Sequence, residues 1–224
     1  MLYRRGILQL VASGVFLSTS GIALRIIEEA DGWQILFYRS LALSATILLI
    51  LVFQKGSRVF DEFRGLGWND CLLAVFLGTG FVAYVFALLY NTVANALFIF
   101  SCAPFVAGFL GWILLGERVA TRTWFAIGVT MVGLAVMVGS ELAVSHYLGT
   151  LLALWIPIAY AASIIAVRRS KRDNMLVALC LAGLVAGGLS AIFVTDYALT
   201  SRDLIISLYL GVFQVGVGFT LVVL

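Results

Sequence analysis

The chain is poor in the residues that most reaction chemistry needs. Its 224 residues include one histidine, His146, and three cysteines. A lone histidine outside the deep apolar runs is poor material for a catalytic base, and neither HExxH nor GxSxG occurs. Cys71, Cys102 and Cys180 each fall within an apolar run, with no paired spacing. They read as small buried residues, not as a disulfide framework or a metal site. No GxxxxGK[ST] is present, so direct use of ATP is unsupported. Charge is scarce too: 11% of residues are charged against 63% hydrophobic, with a mean hydropathy of +1.12. No soluble globular domain of this size has that balance. The composition is that of a polytopic membrane protein, and the lone histidine and missing motifs argue against an intramembrane enzyme.

Long charge-free runs fill the space that charge leaves empty. Val93 to Gly116 is 24 residues without a charge, and a bilayer span needs about 20. Cys71 to Gly116 is 46 residues, room for two spans with Tyr90-Asn91-Thr92 as the hairpin between them. Runs of this kind predict eight spans. These are Gly6–Leu24, Gly32–Gln54, the pair within Cys71–Gly116, Thr123–Ser140, Tyr147–Val167, Met175–Thr195 and Leu204–Leu224. The N-terminal run is longer than a usual signal core and more spans follow, so it reads as an uncleaved first span. Ala103, Ala107 and Gly111 recur every four residues on one helix face, as do Ala178, Ala182, Ala186 and Ser190. Such stripes are packing surfaces, because close backbone approach holds helices together in lipid.

The spans sort the basic residues. Eleven of 14 Lys and Arg fall on the side of the N-terminus, only Arg25 and Arg202 on the other, and Arg39 lies inside a span. The loops are short, so this bias predicts a cytoplasmic N-terminus.

Self-comparison predicts an internal repeat. A shift of 143 places Gly6 on Gly149, Ser20 on Ser163 and Arg25 on Arg168. A shift of 133 places Asp70 on Asp203, Gly78 on Gly211 and Phe86 on Phe219. The first unit has five spans, an odd number, so the second enters from the opposite face, an arrangement recurrent in transporters. Leu224 aligns with Asn91, so the second unit is expected to hold three of five spans, and two spans are expected to be missing.

Three motifs then carry a resemblance: Trp33-Gln34-Ile35-Leu36-Phe37-Tyr38-Arg39, Ala103-Pro104-Phe105 and Leu115-Gly116-Glu117-Arg118, followed by a glycine-bounded run from Gly128 to Gly139. The chain resembles the EamA-type permeases of the drug/metabolite transporter superfamily. The resemblance implies an all-α membrane bundle of two inverted five-helix repeats around a central cavity. Residues 1–141 would be the first repeat and 142–224 a second, truncated one, giving eight helices. It further implies a multi-pass protein of the bacterial inner membrane that exports amino acids, metabolites or drugs by alternating access. The expected partners are the bilayer and a small-molecule substrate, with no nucleic acid and no cofactor. A homo-oligomer is left open. The alternative is a truncated, non-transporting membrane fragment or an assembly subunit.

Arg39 is the sharpest candidate. It lies seven residues past Gly32, roughly 10 Å into the span at 1.5 Å per residue. An intramembrane arginine faces a cavity or a partner, or else snorkels to the interface, here beside Trp33 and Tyr38. In a cavity it would bind a substrate carboxylate bidentately. Trp33, Tyr84, Asn95 and Gln214 are the other substrate-binding candidates, with interhelical hydrogen bonding as the alternative for the polar ones. The Ser18-Thr19-Ser20 cluster has the same two readings. Pro104 and Pro157 lie within spans and are kink or gate candidates. Glu117 is either a gate or an interfacial partner of Arg118 or Arg122.

Overall fold

The computed structural model describes residues 2–56, 59–116, 120–142, 147–170 and 175–223. Among these the chain is helical, and no strand occurs. That is the expected solution where lipid offers no hydrogen bonds, because a helix satisfies its own backbone. The elements are α1 (Leu2–Ser18), α2 (Ser20–Ile26), α3 (Gly32–Lys55), α4 (Val59–Arg64), α5 (Trp68–Tyr90), α6 (Val93–Phe100), α7 (Ala103–Leu115), α8 (Thr121–Leu142), α9 (Tyr147–Ser170), α10 (Leu176–Phe193), α11 (Ser201–Tyr209), a π-helical stretch (Leu210–Val217) and α12 (Gly218–Val223).

Seven segments among the described residues are long and apolar enough to cross a bilayer: Gly6–Ile26, Gly32–Lys55, Trp68–Tyr90, Val93–Leu115, Tyr147–Ser170, Leu176–Phe193 and Ser201–Leu221. They match seven of the eight predicted spans within a few residues. The remaining one, Thr123–Ser140, lies in helix α8, whose side chains are described only in part.

Three spans are discontinuous, each for a local reason. Between α1 and α2, the Ser18 and Thr19 hydroxyls donate back to the carbonyls of Val15 and Phe16, at 2.8 and 2.7 Å, competing with the helix. Between α6 and α7 the break is at Ser101–Cys102, just before Pro104. Phe100, the last residue of α6, is the residue whose carbonyl would have bonded an N–H at position 104. Pro104 sits in the first turn of α7, where its missing N–H leaves no bond unmade. Pro157, by contrast, is buried inside an unbroken α9. The third discontinuity is the π-helical stretch, rich in glycine at Gly211 and Gly216 and continuing into Gly218.

At the centre, α3 packs on α10, and α5 packs on both α9 and α10. The π-helical stretch lies on α3, α12 on α1, and α6 and α7 on α9. Ile35, Leu36, Leu43, Ile47, Val85, Leu88 and Val177 are fully buried there. Since lipid is as apolar as these side chains, close approach and hydrogen bonds must supply the specificity. Gly78 and Gly211 show how. A Cβ on Gly78 would stand 2.9 Å from the Ala182 carbonyl oxygen, and one on Gly211 would strike the Arg39 carbonyl. Hydrogen bonds add to this: Ser44 donates to the Cys180 carbonyl at 3.0 Å and Ser13 to the Gly218 carbonyl at 2.7 Å. The predicted stripes face inward, with Ala103, Gly111, Ala178, Ala182, Ala186 and Ser190 all buried. Cysteine needs one correction: Cys102 and Cys180 are buried, but Cys71 is exposed on the first turn of α5. Buried carboxylates tie each end of the bundle. Asp203 accepts from the backbone N–H of Glu29 and Ala30, at 3.1 and 3.0 Å. At the far end of the helices, Asp70 accepts from the Ser170 hydroxyl and, at 2.9 Å, from the Gly67 N–H.

Candidate functional site: an apolar cavity around one arginine

A cavity of about 410 Å³ lies among α1, α3, α5, α6, α9 and the last span. Helix α5 builds one wall. Leu77, Gly80, Phe81 and Tyr84 recur at helical spacing and so share a face. Gly80 keeps that wall close to α9, since a Cβ there would meet the Ala159 Cβ at 3.3 Å. Ile156 and Tyr160, one turn apart on α9, line the cavity beside Leu97 and Phe100 of α6. Gly14, Leu17 and Ser18 of α1 close part of the other side, with Gln214, Val215 and Phe219 from the last span. Gly14 and Ser18 are exposed, as is Leu97, so the cavity opens between α1 and α6.

Arg39 reaches this cavity from α3. Only 4% of it is exposed. Its guanidinium carbon lies 5.5 Å from the Phe81 ring centroid and 5.9 Å from that of Tyr84, within cation–π range. Its hydrogen bond among the described residues is a long one, Nη2 donating to Gln214 Oε1 at 3.5 Å. No described carboxylate pairs with it. An arginine in a span costs about 2.5–3.5 kcal/mol to insert. The two ring faces and one long bond leave most of its five donors for something else.

Tyr84 and Gln214 are placed beside Arg39. The Tyr84 hydroxyl is also shared with Ser20 Oγ at 2.6 Å, and that of Tyr209 with Thr19 Oγ1 at 3.2 Å. The serine–threonine cluster thus joins α1–α2 to α5 and to the last span. Gln214 stands in the π-helical stretch. The wider winding allows a polar side chain within an apolar run to face inward, and such stretches mark functional sites.

Trp33 and Asn95 are not among the lining residues. Trp33 is six positions before Arg39, well off its face of the helix at 100° per residue. It packs between Phe86 and Phe193, with centroids at 4.5 and 4.6 Å. Asn95 is two positions from Leu97 and so points the opposite way. It is 1% exposed, and neither amide atom has a partner among the described residues. Asn91, from the same polar run, instead donates to Thr150 Oγ1 at 3.2 Å and receives Arg25 on its carbonyl at 3.0 Å. Pro104 and Pro157 do not line the cavity, although Ile156 does. Glu117 and His146 lie outside the described residues. Phe81, Phe100 and Tyr160 carry no mark in the sequence beyond being aromatic in an apolar run. The spacing of Phe81 with Leu77 and Tyr84 was the available signal.

A multi-pass helical bundle holding an internal, largely apolar cavity with one buried cation is the form of a membrane carrier for small solutes. The family comparison agrees. The EamA-like transporter family model matches residues 4–139, more than half of the chain. The chain belongs to that family and is a multi-pass membrane transporter of the drug/metabolite type. No curated protein and no solved structure matches it.

Proposed function

We propose that the chain is a secondary carrier that binds a small organic solute in the Arg39 cavity and exports it by alternating access of two inverted halves. The observation that carries this is Arg39 itself: a buried cation without a counter-ion among the described residues, in a space bounded by helices from both ends of the sequence. Packing supports the inverted halves. Under the 143-residue shift Arg39 corresponds to Ala182, and under the 133-residue shift Gly78 corresponds to Gly211. Gly78 lies against the Ala182 carbonyl and Gly211 against the Arg39 carbonyl, so the two contacts interchange. Asp70 and Asp203, which correspond under the 133-residue shift, each bind at the start of their helix, at opposite ends of the bundle. The basic residues put the N-terminus in the cytoplasm. In a Cys71→Ala background, Thr195→Cys is then labelled by an impermeant maleimide on intact cells, and Asp61→Cys is not.

A second reading has its own support. No described helix covers α1 as α6 and α7 cover α9, and Leu8, Val11 and Val15 of α1 are exposed. The chain would then act as a membrane subunit whose cavity is closed by a further helix. Counterflow in proteoliposomes decides. Flux by the purified chain alone supports the carrier, and its loss in Arg39→Leu ties flux to the cavity. No flux until a further membrane segment is co-reconstituted supports the subunit.

A further inference from the structure

We propose that the cavity selects an organic monoanion with an apolar, ring-sized body and no ammonium group. This rests on the cavity being the solute site. Its described lining carries one formal charge, the Arg39 guanidinium, and no carboxylate. A carboxylate entering it meets a planar fork of unused donors, which suits two parallel hydrogen bonds. An amino acid brings the same carboxylate with an ammonium attached. That ammonium loses its water and finds no anion in the lining. The ring faces nearest the charge do not replace one, since Phe81 and Tyr84 already lie under Arg39. A cationic amphiphile fares worse, because it must sit beside the guanidinium with nothing to neutralise either charge.

Two further observations narrow the ligand. First, the described lining has a single cation. The residue that corresponds to Arg39 in the second half is Ala182, which is fully buried. A dianion such as a phosphate monoester would therefore be only half neutralised. Second, most of the wall is apolar: Phe100 and Tyr160 meet edge to face with centroids at 5.5 Å, and Phe81 and Phe219 at 6.0 Å. About 410 Å³ is in the lower part of the range for small-molecule sites, enough for one ring and a short acid chain.

Three probes share a phenylethyl body and differ in the ionic groups it carries: 3-phenylpropionate a carboxylate, phenylalanine a carboxylate and an ammonium, phenethylamine an ammonium. Binding is measured by isothermal titration on the full chain in detergent. We expect 3-phenylpropionate to bind at least about tenfold more tightly than phenylalanine, and phenethylamine not to saturate. Arg39→Gln is expected to weaken 3-phenylpropionate by about tenfold or more. If Arg39→Gln does not fold, Gly14→Leu decides. Gly14 lines the cavity and nothing lies within 4 Å of a Cβ there, so a side chain added at its mouth has room, and binding is expected to fall. Equal or tighter binding of phenylalanine, saturable phenethylamine, or no binding of 3-phenylpropionate overturns the proposal. So does 3-phenylpropionate binding that survives the folded variants. The expected order of binding without counterflow keeps the ligand class and removes the carrier reading. Counterflow of an amino acid or a cation without 3-phenylpropionate binding does the reverse.

Discussion

The two ends of the bundle solve the same problem with different atoms. Asp203 and Asp70 occupy corresponding positions under the 133-residue shift, each in the first turn of its helix, and each is buried. Each ties its helix to the element packed alongside. Asp203 does so through main chain, taking the N–H groups of Glu29 and Ala30. More main-chain acceptors bind around it: Gln34 donates to the carbonyls of Asp196 and Ala198, and the Tyr38 hydroxyl to that of Tyr197. Among the described contacts, the Asp70 end reaches across to a side chain, the Ser170 hydroxyl, and holds the Gly67 N–H of its own turn. A main-chain clamp is set by loop geometry and is indifferent to most substitutions. A hydroxyl clamp is removed by a single atom. A helix-start carboxylate can therefore serve either end, and the loop it faces decides how firmly it holds.

The largest effects should come from the glycines that make the two ends comparable. Gly211→Ala is expected to lower stability by about 3 kcal/mol or more, because the new Cβ meets the Arg39 carbonyl and the Ala42 side chain, and a backbone cannot step aside cheaply. Gly78→Ala should cost somewhat less, since the Val185 side chain is among the atoms in its way. Thermal unfolding in detergent measures both. If either variant is as stable as wild type, the close approach is absent and the correspondence of the halves fails with it.

Next come the carboxylates. Asp203→Ala strands two main-chain donors and is expected to cost about 3 kcal/mol, read as a fall in Tm of roughly 6–12 °C. Asp70→Ala strands the Gly67 N–H and the Ser170 hydroxyl and is expected to cost about 2 kcal/mol. Ser170→Ala should reproduce part of the Asp70 effect, whereas no single side-chain change in residues 28–30 should reproduce any of that of Asp203. Equal losses at Asp70 and Asp203 would erase the distinction between the ends.

The smallest effect is expected from the ion pair at the Asp203 end. Arg202 donates to Glu28 at 2.7 Å, but both side chains are more than half exposed. Arg202→Ala should change stability by no more than about 0.5 kcal/mol, and less in high salt. A larger change would mean that this end is held by charge and not by main chain.

Much of the fold was legible without coordinates because bilayer length and hydrogen-bond satisfaction are local demands. A run of some twenty apolar residues must become a helix wherever it lies, so seven predicted spans reappear with small shifts at their ends. The proposed repeat register was read from the sequence as well: it pairs Gly78 with Gly211 and Asp70 with Asp203, and the carboxylate pair is one that chance apolar matching does not produce easily. Arg39 stood out because a charge in such a run is costly wherever it points.

Rotation about each helix axis was decided only by tertiary structure. In water a helix declares its buried face by polarity. In lipid both faces are apolar, and the contrast disappears. Spacing puts Trp33 and Arg39 on different faces of one helix, and Asn95 opposite Leu97, but nothing in either run shows which of those faces meets the cavity. Pro104 announced an interruption, but its place at the start of α7 depends on where the chain breaks, at Ser101–Cys102. Gln214 was visible as a polar residue in an apolar stretch. Its position beside Arg39 depends on the π-helical winding and on Gly211 letting the last span close on α3, contacts between residues far apart in the chain. The sequence by itself determined which segments enter the membrane and which residues are costly there. Packing determined which of those residues meet.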